Sequence, residues 1–152
     1  SFVREQMIAS GYSEQLVQTL YLAVPDVVDT TAPPCDDVPK FLFLGRLTAA
    51  KGVDWLIKAV SRVSVPVHLD IAGDGNQAKQ LQSLVQKLGV EDRVTFHGWL
   101  NTETVYQLMR SSRALVFPSL WHEPAGMVAY EASINARAAI ASRVGGIPEG
   151  II

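Results

Sequence analysis

Two glutamates, Glu123 and Glu131, are the side chains best suited to chemistry, because they close the two ends of the segment EPAGMVAYE. This segment follows the apolar run 114–117, where a predicted strand gives way to a predicted helix. Ligands of open α/β sheets bind at the carboxyl ends of the strands. Carboxylates beside backbone N–H groups near Gly126 offer the acceptors and donors that sugar hydroxyls need. The pair therefore predicts a hydroxyl-rich ligand. Either glutamate alone better fits a structural role, Glu131 as an exposed helix residue and Glu123 as a charge favoured at the N-terminus of its helix.

A second segment, GRLTAAKG at 45–52, supplies two cations directly after another apolar strand. Arg46 and Lys51 bracket a loop that leads into a predicted helix, whose N-terminus presents N–H groups and a positive dipole end to an anion. A planar guanidinium and a compact ammonium can together neutralise a diphosphate. An isolated Arg and Lys more often form a solvated surface pair. Gly45 and Gly52 favour the phosphate site here, because glycine lets the backbone approach a ligand closely.

A competing signal lies at 73–78, where GDGNQA matches the dinucleotide fingerprint G-x-G-x-x-A. Glu91 or Asp92 stands near the position expected for the acid that binds a ribose. The fingerprint normally follows the first strand of its fold, whereas here a strand with its own anion loop precedes it. We therefore favour a tight turn, and a nicotinamide-dependent oxidoreductase is the alternative.

Composition narrows the class of protein further. The chain has 152 residues and a formal net charge of −2, which favours neither nucleic acid nor an anionic membrane as a partner. The only cysteine, Cys35, and three scattered histidines predict neither a disulfide nor a metal site. Because the sequence shows no apolar span and no signal peptide, we expect a cytoplasmic protein.

Hydrophobic periodicity predicts an α/β fold with a Rossmann-like parallel sheet and helices on both faces. The predicted strands are 41–44, 67–72, 94–97, 114–117 and 138–141, and the predicted helices are 52–62, 77–88, 101–111 and 126–135. Trp55 is expected in the core at helical spacing with Val60, and His68 and His97 are expected to be packed or hydrogen-bonded within strands.

The N-terminal part of the chain has a different character. Residues 2–10 predict a helix, and 16–24 predict an extended segment. The Pro-rich composition of 25–39 is typical of a surface connection between domains. The chain begins inside a predicted helix and stops soon after 145–149 without a closing element, so we expect it to be a piece of a longer protein.

Five blocks in this order resemble the retaining glycosyltransferases of GT-B architecture, known as glycosyltransferase family 4 or glycosyl transferases group 1. The blocks are GRL and KG within 45–52, AGDG at 72–75, VTFHG at 94–98, FPS at 117–119 with the two glutamates, and VGGIPE at 144–149. The resemblance implies that 1–39 is the tail of an N-terminal domain plus the interdomain linker. It implies that 40–152 is a nucleotide-sugar-binding Rossmann-like domain, the C-terminal half of a GT-B fold, truncated at its C-terminal end.

The same resemblance implies a retaining hexosyltransferase that uses a UDP-, GDP- or ADP-sugar and needs neither a metal nor a cofactor. By position, the catalytic residues that the resemblance implies are Arg46, Lys51 and Glu123. The two cations would bind the diphosphate and stabilise the leaving nucleotide, and Glu123 would hold the donor sugar. Glu131 would accept hydrogen bonds from the ribose, and the main chain at Leu100 would read the base. The implied donor-binding set also includes Gly45, Gly126, Met127 and Val128.

Family membership further implies that the acceptor, a glycan, lipid or small molecule, is bound mainly by an N-terminal domain, so the isolated chain is expected to bind nucleotide weakly without turnover. Two departures from the family pattern stand out. The segment EPAG at 123–126 replaces Glu-Gly-Phe-Gly, and INARA at 134–138 lacks the Gly and Pro that relatives place before the next strand. A catalytically inert relative that serves as a sugar-nucleotide-binding module is a further alternative.

Overall fold

The computed structural model of the protein describes residues 1–20, 31, 33–34 and 36–151. Within them the strands are β1 (Lys40–Leu44), β2 (His68–Ala72), β3 (Val94–Gly98), β4 (Ala114–Phe117) and β5 (Ala138–Ala141). The α-helices are α1 (Phe2–Ala9), α2 (Val53–Arg62), α3 (Ala78–Leu88), α4 (Thr102–Arg110) and α5 (Met127–Ile134). Short 3-10 turns lie at Glu14–Leu16, Ala49–Lys51 and Ile147–Glu149.

The strands form one parallel sheet in the order β3-β2-β1-β4-β5. The chain builds outward from β1 to β3, and then crosses to the other side of β1 to add β4 and β5. At such a reversal the connections after the two central strands lead to opposite faces of the sheet and leave a crevice between them. The loops 45–52 and 118–126, which follow β1 and β4, flank this crevice.

Both faces of the sheet are covered by helices. Leu42 and Phe43 are both fully buried in β1, and they point to opposite faces because side chains alternate along a strand. Around Phe43, α2 and α3 complete an apolar cluster that includes Ile57, Leu69, Ile71, Leu81 and Val85. Around Leu42, α4 and α5 complete a second cluster that includes Ala72, Val105, Met109, Leu115 and Ala132. The three-layer arrangement confirms the predicted Rossmann-like fold.

The N-terminal segment packs against loops at the carboxyl edge of the sheet. The backbone N–H of Phe2, at the start of α1, donates a hydrogen bond to Oε1 of Glu149. The ring of Phe2 lies 5.7 Å from that of His122, measured between centroids. Two loops of the α/β unit, one after β4 and one after β5, therefore hold the beginning of the chain.

The strands and helices predicted beyond Lys40 are confirmed to within about a residue at each end. The prediction of an extended segment at 16–24 is wrong at Leu16, which ends a 3-10 turn. Val17 has extended dihedral angles, and 17–20 contain no strand. Residues 21–30, which hold the rest of this segment and the start of the Pro-rich connection, lie outside the described residues, as do Ala32, Cys35 and Ile152.

Trp55 is a second correction, because 62% of its surface is exposed. The buried stripe of α2 consists of Val53, Ile57 and Val60, and this i, i+4, i+7 spacing leaves Trp55 off the stripe. Its ring instead lies beside Lys58, whose Nζ is 5.5 Å from the centroid.

The turn before β5 forms without the glycine that the family pattern places there. Ala136 takes a left-handed conformation with φ of 53°, which costs a non-glycine residue about 1–2 kcal/mol. Hydrogen bonds hold the turn closed, from Ala136 N to Ser133 O at 3.0 Å and from Arg137 N to Ala132 O at 2.9 Å. The departure noted in the sequence therefore appears as local strain, and β5 keeps its place in the sheet.

Candidate functional site

An ion pair joins the two loops that flank the central crevice. Nζ of Lys51 lies 2.6 Å from Oε1 of Glu123, and Nζ also lies 5.2 Å from the centroid of the Phe117 ring. The two charged side chains are only 17% and 13% exposed. An ion pair shielded from water interacts more strongly than a surface pair. Two of the three predicted catalytic residues, from loops far apart in the sequence, are thus in direct contact.

Ser119 is the site residue that sequence reasoning missed. Its side chain is fully buried, and its hydroxyl donates to Oε1 of Glu123 at 2.8 Å. The carbonyl oxygen of Ala50 lies 3.2 Å from the same hydroxyl and offers a second acceptor. The available signal was a serine four positions before a glutamate in a strand-to-helix loop. Ser119 orients the carboxylate from its own loop while contacting the loop that carries Lys51.

Glycines allow these loops to touch. A Cβ atom at Gly52 would lie 2.2 Å from the carbonyl oxygen of Pro118. A Cβ atom at Gly145 would lie 2.4 Å from the carbonyl oxygen of Glu123, and the N–H of Gly146 donates to that oxygen at 2.7 Å. The glycines of the VGGIPE block therefore pack directly against the backbone at Glu123. A residue with a Cβ atom at Gly145 would collide with that backbone.

Arg46 occupies the same loop as Lys51 but a different environment. Its side chain is exposed, and within the described residues it has no ion-pair or hydrogen-bond partner. The neighbouring Gly45 is fixed through its N–H, which donates to Ala72 O at 3.0 Å. The loop thus offers one cation held by a carboxylate and one directed to solvent.

The dinucleotide-like segment 73–78 packs against the backbone of the cationic loop 45–52. A Cβ atom at Gly73 would lie 1.9 Å from Gly45 O, and one at Gly75 would lie 2.4 Å from Leu47 O. The N–H of Leu47 donates to Asp74 O at 2.9 Å. Packing of backbone against backbone therefore accounts for both glycines.

Glu131 and Leu100 line one groove at the carboxyl ends of the strands. Its volume is about 280 Å³, and its walls are formed by Leu44, Leu100, Thr102, Val105, Tyr106, Val128 and Glu131. Burial raises the pKa of Glu131 above its ordinary value. In the part of the chain that is described, the Glu131 carboxyl group has no hydrogen bond or ion pair. The groove combines apolar walls with one free carboxyl group, as a site for a small organic ligand does.

Gly126 and Met127 form the start of α5, next to the loop that carries Glu123. Gly126 is the N-cap, with a left-handed φ of 63°. The first N–H groups of a helix have no acceptors within it, so they are available to an anion or a hydroxyl. The Met127 side chain is 39% exposed and faces a separate cavity of about 490 Å³ shared with Pro124, Ala125 and the N-terminal segment. Met127 is not among the residues that line the groove of Glu131 and Leu100.

Among the residues that the structure covers, no three His, Cys, Asp or Glu side chains come together as metal ligands. None of the helices described is long and apolar enough to cross a membrane. The chemistry of the site lies in a cation and a carboxylate in contact, a second cation nearby, a helix N-terminus and a groove with its own carboxyl group. Such a set binds phosphates and hydroxyls together.

Comparison with known proteins identifies a family and several relatives of this chain. The family described as Glycosyl transferases group 1 matches residues 32–152. A glycosyltransferase of Methanocaldococcus jannaschii, itself uncharacterised, is 39% identical over 116 residues, which are 75% of this chain and 30% of that protein. A lipopolysaccharide 1,6-galactosyltransferase of Salmonella typhimurium is 32% identical over 124 residues, 78% of this chain and 34% of that protein. The chain thus spans about a third of the length of these relatives.

Solved structures show the same fold. An apo lipopolysaccharide outer core galactosyltransferase superposes with a TM-score of 0.83 at 30% identity, over 97% of this chain and 42% of that one. HepE of Anabaena, solved in complex with UDP-glucose, superposes with a TM-score of 0.83 at 26% identity, over 96% of this chain and 44% of that one. The match to the C-terminal portion of such proteins confirms the resemblance drawn from the five sequence blocks. The chain belongs to the glycosyl transferases group 1 family, and it is a Rossmann-like domain of GT-B architecture.

Proposed function

We propose that this chain binds the nucleotide-diphosphate sugar donor of a retaining hexosyltransferase that works without a metal ion, and that the donor is a UDP-sugar. The observation that carries the proposal is the contact between Lys51 and Glu123 across the central crevice. A cation and a carboxylate at this point suit the junction of a donor, where the diphosphate ends and the sugar begins. HepE, a relative by fold and sequence, has been solved with UDP-glucose, which supports UDP over the GDP and ADP alternatives.

In this proposal each side of the crevice holds one part of the donor. Lys51 and the exposed Arg46 bind the diphosphate, with Gly45 allowing close approach of the backbone. Glu123 and the N–H groups after Gly126 hold the sugar hydroxyls. The nucleoside lies in the groove beyond α5, where the Glu131 carboxylate accepts hydrogen bonds from the ribose and the main chain at Leu100 meets the base.

The chemical role of the cations follows from the charge of the leaving group. As the sugar departs, the nucleoside diphosphate gains negative charge, and preorganised cations stabilise that charge most when it develops. An ammonium and a guanidinium supply in this way what a divalent cation supplies elsewhere. Retention of the anomeric configuration and transfer of a hexose are proposed from family membership.

We propose that residues 1–39 are the tail of an N-terminal domain plus the interdomain linker. In this proposal the acceptor glycan, lipid or small molecule is bound mainly by that N-terminal domain and not by residues 1–39 themselves. The chain as given is then proposed to bind a donor without turning it over. The catalytically inert module stays as an alternative, and it predicts donor binding without transfer even when an acceptor domain is present.

Calorimetric titration with UDP-glucose, GDP-glucose and ADP-glucose tests the proposal. We expect UDP-glucose to bind, and Arg46→Ala to weaken it about tenfold or more, since a charge-assisted hydrogen bond to phosphate is lost. Arg62→Ala is the matched control, because Arg62 is exposed at the end of α2, away from the crevice. No heat with any of the three donors would reject the proposal.

Titration with NADH separates the oxidoreductase alternative. The packing of Gly73 and Gly75 against the 45–52 loop leaves that alternative without its motivating feature. We expect the fluorescence of NADH to stay unchanged on addition of the protein. An increase that UDP-glucose does not reverse would favour a nicotinamide site instead.

A further inference from the structure

The end of β3 carries an irregularity close to the proposed nucleoside groove. The register between β2 and β3 runs Asp70 to Thr95 and Ile71 to Phe96, and then shifts so that Ala72 pairs with Gly98. His97 is thus an extra residue on β3. Bulges of this kind bend a strand and re-aim the chain that follows it, and they are frequent beside functional sites.

A buried carboxylate holds the bulge in place. Oδ1 of Asp70 lies 2.6 Å from Nε2 of His97, and Asp70 itself is only 5% exposed. His68 is a more distant neighbour, with its Nε2 3.7 Å from the same oxygen and 2.9 Å from the hydroxyl of Thr95. A buried carboxylate is stable only when it is hydrogen-bonded, so Asp70 and His97 fix each other.

The chain beyond the bulge has little freedom. Gly98 takes a left-handed φ of 67°, and a Cβ atom there would meet nothing within 4 Å. Glycine is therefore favoured at this position by its backbone conformation and not by lack of space. Its carbonyl oxygen accepts from Gly73 N at 2.7 Å. Asn101 then caps α4, accepting from Thr104 N at 2.9 Å. Leu100 lies between two fixed points, the bulge and this cap, and it lines the groove with Glu131.

We propose that His97, held by Asp70, is a positioning residue that sets the main chain at Leu100 against the base of the nucleotide donor. The proposal rests on the proposed function of the groove as a nucleoside site and adds a determinant of base recognition to it. His97 touches no ligand in this proposal. It sets the direction of the three residues that follow it, 98–100. It therefore affects the binding of the base and not that of the diphosphate.

The test compares two probes, UDP and inorganic pyrophosphate, bound to the same variants. We expect His97→Ala to weaken the binding of UDP about tenfold, because the hydrogen bond to Asp70 is lost and the main chain at Leu100 moves. The affinity of His97→Ala for pyrophosphate should stay within about twofold of that of the unsubstituted chain, since pyrophosphate contacts the 45–52 loop alone. His97→Gln restores a side-chain N–H at similar reach and should recover most of the UDP affinity.

His68→Ala is the matched control, because His68 faces the same carboxylate from outside the bulge, and its ratio of UDP to pyrophosphate affinity should not change. If His97→Ala does not fold, Asp70→Asn serves in its place, with the same ratio expected to fall. An unchanged ratio in His97→Ala or Asp70→Asn overturns the inference while leaving the proposed function intact. Failure of the unsubstituted chain to bind UDP overturns both.

Discussion

Lys51 and Glu123 orient each other, and each is the other's charge partner inside a largely shielded crevice. In the proposed function, a diphosphate would therefore meet an ammonium at Lys51 whose position is already set, and a sugar would meet a carboxylate at Glu123 that Ser119 also holds. Preorganised charges stabilise developing charge without reorganisation at the moment of reaction. The three side chains act as a unit, so changing any one disturbs the others.

The effect of Lys51→Ala tests this dependence. Removing the ammonium leaves Glu123 shielded and without its cation, so we expect a loss of about 2 kcal/mol in the free energy of unfolding. Donor affinity should fall by more than tenfold, because the phosphate also loses a charged donor. Urea unfolding and calorimetry measure the two effects.

Lys58→Ala is the matched control for that experiment. Lys58 forms an exposed pair with Asp54 at 2.9 Å on α2, and exposed i, i+4 pairs contribute about 0.3–0.5 kcal/mol. We expect it to leave donor affinity unchanged. Equal effects of the two substitutions would contradict a special role for Lys51.

Glu131 predicts a pH dependence with a defined sign. Burial raises the pKa of Glu131 above its ordinary value of 4.5. Its contribution to stability is thus complete below 4.5 and is lost as the pH rises through the folded pKa. Relative to the unsubstituted chain, Glu131→Gln should gain free energy of unfolding as the pH rises from 4.5 through the folded pKa of Glu131. Urea unfolding at several pH values measures the difference, and a difference independent of pH would refute the prediction.

At the scale of elements, the glycines of the loops decide how closely the strands' connections can pack. Gly145 and Gly89 share a left-handed backbone, with φ of 57° and 64°, but differ in surroundings. A Cβ atom at Gly145 would lie 2.4 Å from Glu123 O, whereas one at Gly89 would meet nothing within 4 Å. Comparing substitutions at the two positions therefore distinguishes the effect of backbone strain from the effect of displacing Glu123.

We expect both Gly145→Ala and Gly89→Ala to lose about 1 kcal/mol of stability from backbone strain. Only Gly145→Ala should also weaken donor binding, because the new methyl group displaces the backbone of Glu123. Calorimetry with UDP-glucose on both variants measures this. Full affinity in Gly145→Ala would show that the loop after β5 does not position Glu123.

The turn between α5 and β5 offers the opposite experiment. Since Ala136 holds φ at 53°, Ala136→Gly relieves strain of about 1–2 kcal/mol and gives back part of it in unfolded-state entropy. We expect a net gain of about 0.5–1 kcal/mol in thermal or urea unfolding. Ala59→Gly, at an exposed position inside α2, should instead lose about 1 kcal/mol.

The sequence was sufficient for the elements, because apolar runs and helical periods alternate cleanly from β1 to β5. It was sufficient to place Lys51 and Glu123 at one edge of the sheet, since both follow strands of the same parallel sheet. Periodicity gave a wrong prediction at Trp55, because its spacing to a single apolar residue, Val60, was not enough to identify the buried face of α2. The bulge at His97 was beyond reach, because it depends on the pairing of two strands that only the folded chain brings together. At Ser119 the spacing to Glu123 was a signal, but the contact with the loop of Lys51 was not visible in the sequence.

At the scale of the whole molecule, the ion pair straddles the midline of the sheet, between the half containing β2 and β3 and the half containing β4 and β5. A ligand bound there stabilises only conformations in which both halves are docked. We expect UDP-glucose to slow amide hydrogen exchange in strands on both sides of β1. Protection confined to one side would mean that the donor engages only one half of the sheet.

Lys51 and Glu123 are separated by 72 positions along the chain, and this spacing sets when the site can first exist during synthesis. While a ribosome has produced only β1 to β3, the cationic loop is complete but has no acidic counterpart. Under the proposed function, recognition of a carbohydrate donor would become possible only after β4 and the loop beyond it have left the exit tunnel and docked beside β1. Acquisition of ligand competence is therefore a late event of translation, which makes it a reporter that the two halves have joined.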